Sequence, residues 1–374
     1  MTLTKYRLAE LLMRNTETNL RMEYSISDVR GVLNTKAISS TKVDVSGRDL
    51  RKFLVVRPGG FIFNHRVHDR LGLGYNTSND VYIFTNDYVA FYVKPSVAKN
   101  ILSPDYLYIW FLRNEFDRYM LYKTYGSATL FFSWDNMCEL EITLPPLPVQ
   151  QKYVEIYKAM VANQQSYERG LEDLKLSFDI LIDQIKHTAV KKTVGELLLE
   201  VDQRNDDDRI TNVQGINISK QFMPSVADTN GVDLKKYKIV QLNQFAFSGM
   251  QTGRDKCIRI ALYKGNDPII ISPAYTVFEN KDQSVLSEYI MMWFSRDESD
   301  RLGWFMSDSS IRSNLDLDRF YETEIPIPEK KVQKSIVDIY SVYSTRRKIN
   351  EQLKAQIKAI CPILIRGSLE EGRQ

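Results

Sequence analysis

Three cysteines and three histidines are all that the 374 residues contain, and this scarcity excludes several kinds of protein at once. Cys138, Cys257 and Cys361 stand far apart and are odd in number, which argues against a disulfide framework or a thiolate zinc cluster and suits reduced thiols acting as small hydrophobes. His65 and His68 share a loop without a cysteine or third histidine nearby, so they read as a chance pair rather than a metal site. Charge of one sign is also lacking. At a net charge of +3, overall charge makes no case for a polyanionic partner, and any basic surface has to be local. No segment approaches the roughly 18 apolar residues of a membrane span, and the opening MTLTKYRLAE has no apolar stretch of signal-peptide length, so a soluble, cytoplasmic protein without a membrane partner is expected. No P-loop is present either. What remains is ample for cores in two or three domains: 43% hydrophobic residues and 11% aromatics.

The informative presence is an internal repeat, offset by about 184 positions. Asp49-Leu50-Arg51-Lys52-Phe53 recurs as Asp233-Leu234-Lys235-Lys236-Tyr237, and Val56, Phe61 and Phe63 recur as Val240, Phe245 and Phe247. Gly31 and Lys36 meet Gly215 and Lys220. Tyr106 and Trp110-Phe111 match Tyr289 and Trp293-Phe294, and Val154 to Tyr157 match Val337 to Tyr340. A period this long marks a duplicated domain with its trailing element, because solenoid units run only about 20 to 50 residues. Two related binding heads fit this pattern better than one active site.

In the first copy, β-type runs at 53–56, 61–64, 81–84 and 89–93 precede an expected helix over 104–122. The second copy repeats the order, with strands near 239–247, 258–263, 269–272 and 275–278 and a helix near 287–294. Each copy is thus α+β. Each closes on a proline strip, Leu144-Pro145-Pro146-Leu147-Pro148 or Ile325-Pro326-Ile327-Pro328, read as an extended connector. Long helical runs follow, about 149–186 and 329–360. Ile339, Tyr343, Arg346, Asn350, Leu353, Ile357 and Ile360 alternate by four and three, and the repeat transfers this seam to Ile156, Met160, Asn163, Tyr167, Gly170, Leu174 and Ser177. Both seams turn polar near the middle, as paired spacer helices with a fixed register would. Packing of each helix on its own domain is the alternative.

In this order of parts the chain resembles the DNA-specificity subunit of Type I restriction-modification enzymes. The run from Phe245 through MQTGRDKCIRI to Ser272-Pro273-Ala274-Tyr275-Thr276-Val277-Phe278 is similar to recognition-domain strands of that family, as is Phe61-Ile62-Phe63-Asn64-His65-Arg66. Gly126-Ser127-Ala128-Thr129 and the first proline strip resemble the end of such a domain and its lead into a spacer helix. The resemblance implies two target-recognition domains in tandem, each followed by a long helix, the helices pairing as an antiparallel coiled coil with pseudo-two-fold symmetry. The expected division is a first recognition domain at 1–148, a spacer helix at 149–190, a second recognition domain at 191–328, and a C-terminal helix and tail at 329–374. It also implies double-stranded DNA read as two half-sites, two methyltransferase subunits carrying S-adenosylmethionine, and restriction subunits carrying ATP and Mg. Val149-Gln150 and Val332-Gln333 depart from the family's Glu-Gln at the helix starts.

The segment from Arg48 to Arg70 is locally basic, and Asn64-His65-Arg66 follows directly on a strand, so its amide, imidazole and guanidinium groups suit base edges and phosphates. Arg57 and Arg70 belong to the same candidate set. The corresponding loop of the second copy holds Ser248, Gln251, Thr252, Arg254 and Lys256, a different set of donors, as two readers of unlike half-sites require. A second candidate surface comprises Ser127 and Thr129, with Ser133 and Asn136, matched loosely by Arg312 and Asn314, with Ser309 and Ser310. These polar residues serve equally well as caps and turns. Arg51, Lys52, Lys235 and Lys236 read equally as solvated strand ends. Trp134 and Trp304 are read as core, and Asp206-Asp207-Asp208 as a solvated turn.

A self-contained DNA methyltransferase needs a cofactor fold and an Asn-Pro-Pro-Tyr type loop, and the sequence has no such loop. Glu139 and Glu141, like Glu322 and Glu324, alternate ahead of a proline strip in both copies, a structural recurrence rather than a nuclease centre. The expectation is a non-catalytic recognition and scaffold subunit with no cofactor or metal of its own. A protein-protein scaffold with two related heads, or the recognition arm of a Type II-like assembly, are the alternatives.

Overall fold

The computed structural model describes residues 3–41, 44–126, 130–225, 231–250, 252–308 and 313–373. Its contacts divide the chain into Met1–Glu168 with Asn350–Gln374, and Arg169–Ile349. Each unit therefore combines one head, the opening of the long helix that follows that head, and the far end of the other long helix.

In the first unit a four-stranded antiparallel sheet runs Leu12–Asn15, Tyr88–Val93, Phe61–Asn64, Leu73–Tyr75. Strand alternation sends Phe61, Phe63 and Phe91 into the main core and Ile62 and Ala90 into a smaller one on the other face. Phe61 stacks between Tyr75 at 4.4 Å and Phe91 at 5.1 Å, and Phe111 of the helix Pro104–Phe111 meets it edge-on at 6.0 Å. Burying each such ring contributes roughly 1.5–3 kcal/mol. The second unit repeats the sheet as Leu198–Val201, Thr276–Asn280, Phe245–Ser248, Arg259–Leu262, with Phe245, Phe247 and Phe278 facing the main core and Ala246 and Val277 the other side.

The first expected head helix is in fact two, whereas the second stands where expected and is followed by another. Pro104–Phe111 is followed by Asn114–Lys123, and Ser287–Phe294 by Asp297–Met306. The break falls at Arg113 and Arg296, whose backbones are extended and whose guanidinium groups lie over Trp110 at 4.6 Å and Trp293 at 4.1 Å. Burial lowers the pKa of both.

The second proline strip is not merely a connector. Glu324–Ile327 is a strand paired with Val190–Thr193, and Pro326 is tolerated there because a two-stranded pair is all edge. In the first unit Glu141–Leu144 pairs with Thr4–Arg7 and ends before Pro145. The recurring glutamates brace these pairs: Glu141 binds Lys5 at 2.6 Å and Glu324 binds Lys191 at 3.1 Å.

The long helices run Leu147–Thr188 and Lys330–Arg373, 42 and 44 residues, about 63 and 66 Å. The second continues through Pro362, beyond the end expected at 360. Within the first unit they are antiparallel: Lys152 pairs with Glu371 at 2.8 Å, Gln164 donates to Asn350 at 3.0 Å, and Lys354 pairs with Glu168 at 2.5 Å. In the second unit Phe178 lies against Tyr340 at 5.5 Å. The expected seam needs correction in the central helix. Ile156, Asn163 and Ser177 are exposed, with Met160, Tyr167, Gly170 and Leu174 only partly covered, while Val154, Gln164, Phe178, Ile182 and Ile185 are buried. The inward line is displaced by one position, because the seam was carried over from Ile339 when its neighbour Tyr340 also faces inward; one residue rotates a helix face by about 100°. In the C-terminal helix Asn350 is buried and Ile339, Tyr343, Leu353, Ile357 and Ile360 half-buried, whereas Arg346 is exposed.

Candidate nucleic-acid interface

Two buried latches recur in each head and fix the loops above them. The backbone of Lys36 has a positive φ of 63° and that of Lys220 one of 59°. Lys36 donates to the carbonyl of Phe111 at 2.6 Å and pairs with Asp117 at 2.7 Å; Lys220 donates to the carbonyl of Ile258 at 3.0 Å and pairs with Asp300 at 2.5 Å. Burial lowers the Lys36 pKa against the pull of Asp117. The second latch is the glutamine that opens each long helix. Gln150 accepts from Ser103 N at 3.0 Å and donates to the carbonyls of Ile101 at 2.7 Å and Pro145 at 2.8 Å. Gln333 accepts from Leu286 N at 2.9 Å and donates to Ser284 at 3.1 Å and Pro328 at 2.9 Å.

On this scaffold the first head builds a patch at the far end of the Phe61–Asn64 strand. Asn64 turns the chain by accepting from Arg66 N at 3.0 Å, and Arg66–Val67 then pairs with Leu130–Phe131. His65 stacks on Phe131 at 5.5 Å, its Nδ1 lying 2.5 Å from the carbonyl of Asp87, and Tyr125 lies against the same phenyl ring at 6.0 Å. Arg66 is exposed and Arg70 partly so; among the described residues the Arg66 guanidinium meets no partner. Arg57 stands apart. It sits before the opposite end of the strand, bound to Glu17 at 2.6 Å, which raises its pKa further. Ser127 and Thr129 lie outside the described residues; Leu130–Phe131, which pairs with Arg66–Val67, brings the segment ahead of the first proline strip to the Asn64–Arg66 turn.

In the second head too, the loop after the strand meets the segment ahead of the proline strip. Leu315 N donates to Gly249 and Gly253 N to Ser313, both at 2.9 Å, so the loops after Ser248 and before the proline strip lie side by side. The glycines are required: a Cβ on Gly249 would fall 1.8 Å from the Leu315 carbonyl oxygen, and one on Gly253 2.6 Å from Ser313 Cβ. Thr252–Asp255 forms one helical turn. Ser248 and Thr252 are buried, and Thr252 donates to the Gly249 carbonyl at 3.0 Å, so both shape the loop from within. Asn314 N donates to the Asp308 carboxylate at 3.0 Å. Arg254 and Lys256 are exposed, and the Lys256 ammonium lies 5.2 Å from the centre of the Trp304 ring. Gln251 and Arg312 lie outside the described residues.

Other candidates are structural. Asp49 and Asp233 accept from Arg51 N and Lys235 N at 3.2 Å, so the repeated Asp-Leu-basic-basic motif is a capped turn. Trp134 packs on Phe91 at 5.6 Å, in the core, whereas Trp304 is about half exposed. Cys257 and Cys361 are buried, and burial raises the Cys361 thiol pKa to about 11. The glutamine latches were not recognised from the sequence, although Gln150 and Gln333 stand at matched positions beside the departure from Glu-Gln.

Two α+β heads of one design, each leading into a long helix, with a polar and basic patch on each head, define a tandem recognition fold. The crystal structure of the Type I restriction-modification system S subunit from M. genitalium has this fold, with a TM-score of 0.61 at 10% identity, covering 98% of this chain and 96% of that one. A structure described for complex assembly and conformational transition of the type I R-M system scores 0.48 at 13% identity over 98% of both chains, and the HsdS subunit from Thermoanaerobacter tengcongensis 0.40 at 13% over 98% and 96%, too low to add to it. Residues 225–359 match the family described as Type I restriction modification DNA specificity domain. No curated protein sequence matches the chain. The resemblance read from the sequence is thus met by the family match over residues 225–359 and, over nearly the whole chain, by the fold of that S subunit. No helix among the described residues is long and apolar enough to cross a membrane.

Proposed function

We propose that this chain is the sequence-reading subunit of a Type I restriction-modification complex, each head reading one half of a split, asymmetric duplex site. The supporting observation is that two heads alike down to their buried latches present unlike loops at the same place: a strand pair with Asn64, His65 and Arg66 in one, a helical turn with Arg254 and Lys256 in the other. Arg66, Arg70, Arg254 and Lys256 supply phosphate contacts and hence affinity, and the loop donors choose the bases. The helices set the gap between half-sites and carry two methyltransferase subunits, which bring S-adenosylmethionine; restriction subunits bring ATP and Mg. The chain itself contributes recognition and scaffolding, and no chemistry. The test is selection by the full chain from a random duplex pool. Enriched duplexes should hold two defined half-sites at a fixed gap, and affinity should fall steeply with salt as counterions are released. No enrichment, or binding indifferent to salt, would favour a protein-protein scaffold instead.

A further inference from the structure

The helices Asn114–Lys123 and Asp297–Met306 align at an offset of 183, matching Asp117-Arg118 with Asp300-Arg301 and Tyr122 with Phe305. Tyr122 and Phe305 are each 84% exposed. A single exposed aromatic is ordinary on a soluble protein. The same exposure at the same helical position of two copies, where most neighbouring residues differ, is not.

Each aromatic sits near the end of a helix that adjoins the basic patch of its own head. Beyond Tyr122 the first helix ends at Lys123, and Tyr125 pairs by backbone bonds of 2.8 and 3.2 Å with Phe131, the residue that stacks on His65 and lies opposite Arg66. In the second head Phe305 follows Trp304, whose ring lies under Lys256. Gly303 lets that helix pack against Ile258, beside the Thr252–Asp255 turn, since a Cβ there would fall 2.3 Å from the Ile258 side chain.

We propose that Tyr122 and Phe305 are stacking wedges for duplex DNA, one per head, each pressing its ring against a base step at the edge of its own half-site. This rests on the DNA reading above. A duplex fits the patch better than an apolar protein surface does, because such a surface would cover Arg66 and Arg254 without supplying countercharge. DNA offers phosphates and aromatic faces together. Apolar side chains that enter a base step partly unstack it, and one aromatic-base stack is worth a factor of roughly ten to a hundred in affinity. Neither side chain carries charge, so the wedge strengthens binding without steepening its salt dependence.

The experiment uses the full chain and a duplex that the wild type has selected from a random pool, carrying 2-aminopurine in turn at each edge of the two half-sites. Tyr122→Ala should weaken binding roughly ten- to hundredfold and abolish the fluorescence rise at one half-site, and Phe305→Ala should do so at the other, both with an unchanged salt slope and an unchanged Tm. Tyr122→Phe and Phe305→Tyr should restore both readouts. Alanine variants that bind the selected duplex as tightly as the wild type overturn the wedge and leave the DNA reading intact. If the wild type selects no duplex, the DNA reading itself falls.

Discussion

At the scale of single residues, stability rests on buried polar groups that a composition count would assign to the surface. Gln333 is fully buried and makes three hydrogen bonds, so Gln333→Ala leaves one amide and two carbonyls unpaired. The expected cost is about 1–3 kcal/mol, measured as a lower urea midpoint at constant slope. Gln150→Ala should behave alike, because its bonds are the same three. The Lys36–Asp117 pair predicts a different pattern. Replacing Asp117 alone by Leu strands a buried ammonium and should cost about 3–5 kcal/mol, whereas Lys36→Met with Asp117→Leu should recover much of that loss; equal costs for the single and double variants would reject the pair as the cause. Asp282 sets a pH limit. It accepts from Lys192, Ser284 Oγ and Ser284 N, which hold its pKa at about 2, below the ordinary 3.8. A depressed carboxylate contributes stability in full above its unfolded value and loses it as pH falls through the folded one. Unfolding measured from pH 5 down to 2 should therefore show a decline between about 4 and 2 that is shallower in Asp282→Asn.

At the scale of elements, strands were the most legible, because alternation is a local signal: Phe61–Asn64 stands where its sequence put it. The break in the first head helix was not legible. The apolar spacing runs on past Arg113, where the backbone turns extended and the side chain folds back over Trp110, a local contact without a proline or glycine to announce it. The helix seam was legible in period and misplaced in phase, since a repeat offset transfers spacing but not rotation. The candidate patches were legible as loops, but their union was not, because the contacts of Gly249 with Leu315 and of Arg66 with Phe131 join segments more than 60 residues apart. The polar middle of the seam proved to be a bonded layer, Gln164 to Asn350 and Glu168 to Lys354. Such layers fix register at some cost in stability. Gln164→Leu with Asn350→Leu should raise the urea midpoint and loosen the register. The check is oxidation of Lys152→Cys with Glu371→Cys, which should give one cross-linked species in the parent and incomplete linkage in the double-leucine background.

At the scale of the whole molecule, each head owns the start of one long helix and the end of the other, so the two units meet along the chain only between Glu168 and Arg169 and between Ile349 and Asn350. Those two junctions are where length can be added without entering either core. Under the proposed function the helices determine how far apart the half-sites stand. A heptad preserves the facing sides of a helix pair, so seven residues inserted at both junctions should keep each half-site while changing the gap. Seven helical residues add about 10 Å, the rise of roughly three base pairs. Duplexes selected by the lengthened chain should therefore carry the parent half-sites about three base pairs further apart. Exchange of the loop from Ser248 to Lys256 should do the converse, changing the bases of one half-site at an unaltered gap. The two outcomes separate reader from ruler: a chain in which insertion alters the bases, or loop exchange alters the gap, does not divide those tasks between heads and helices.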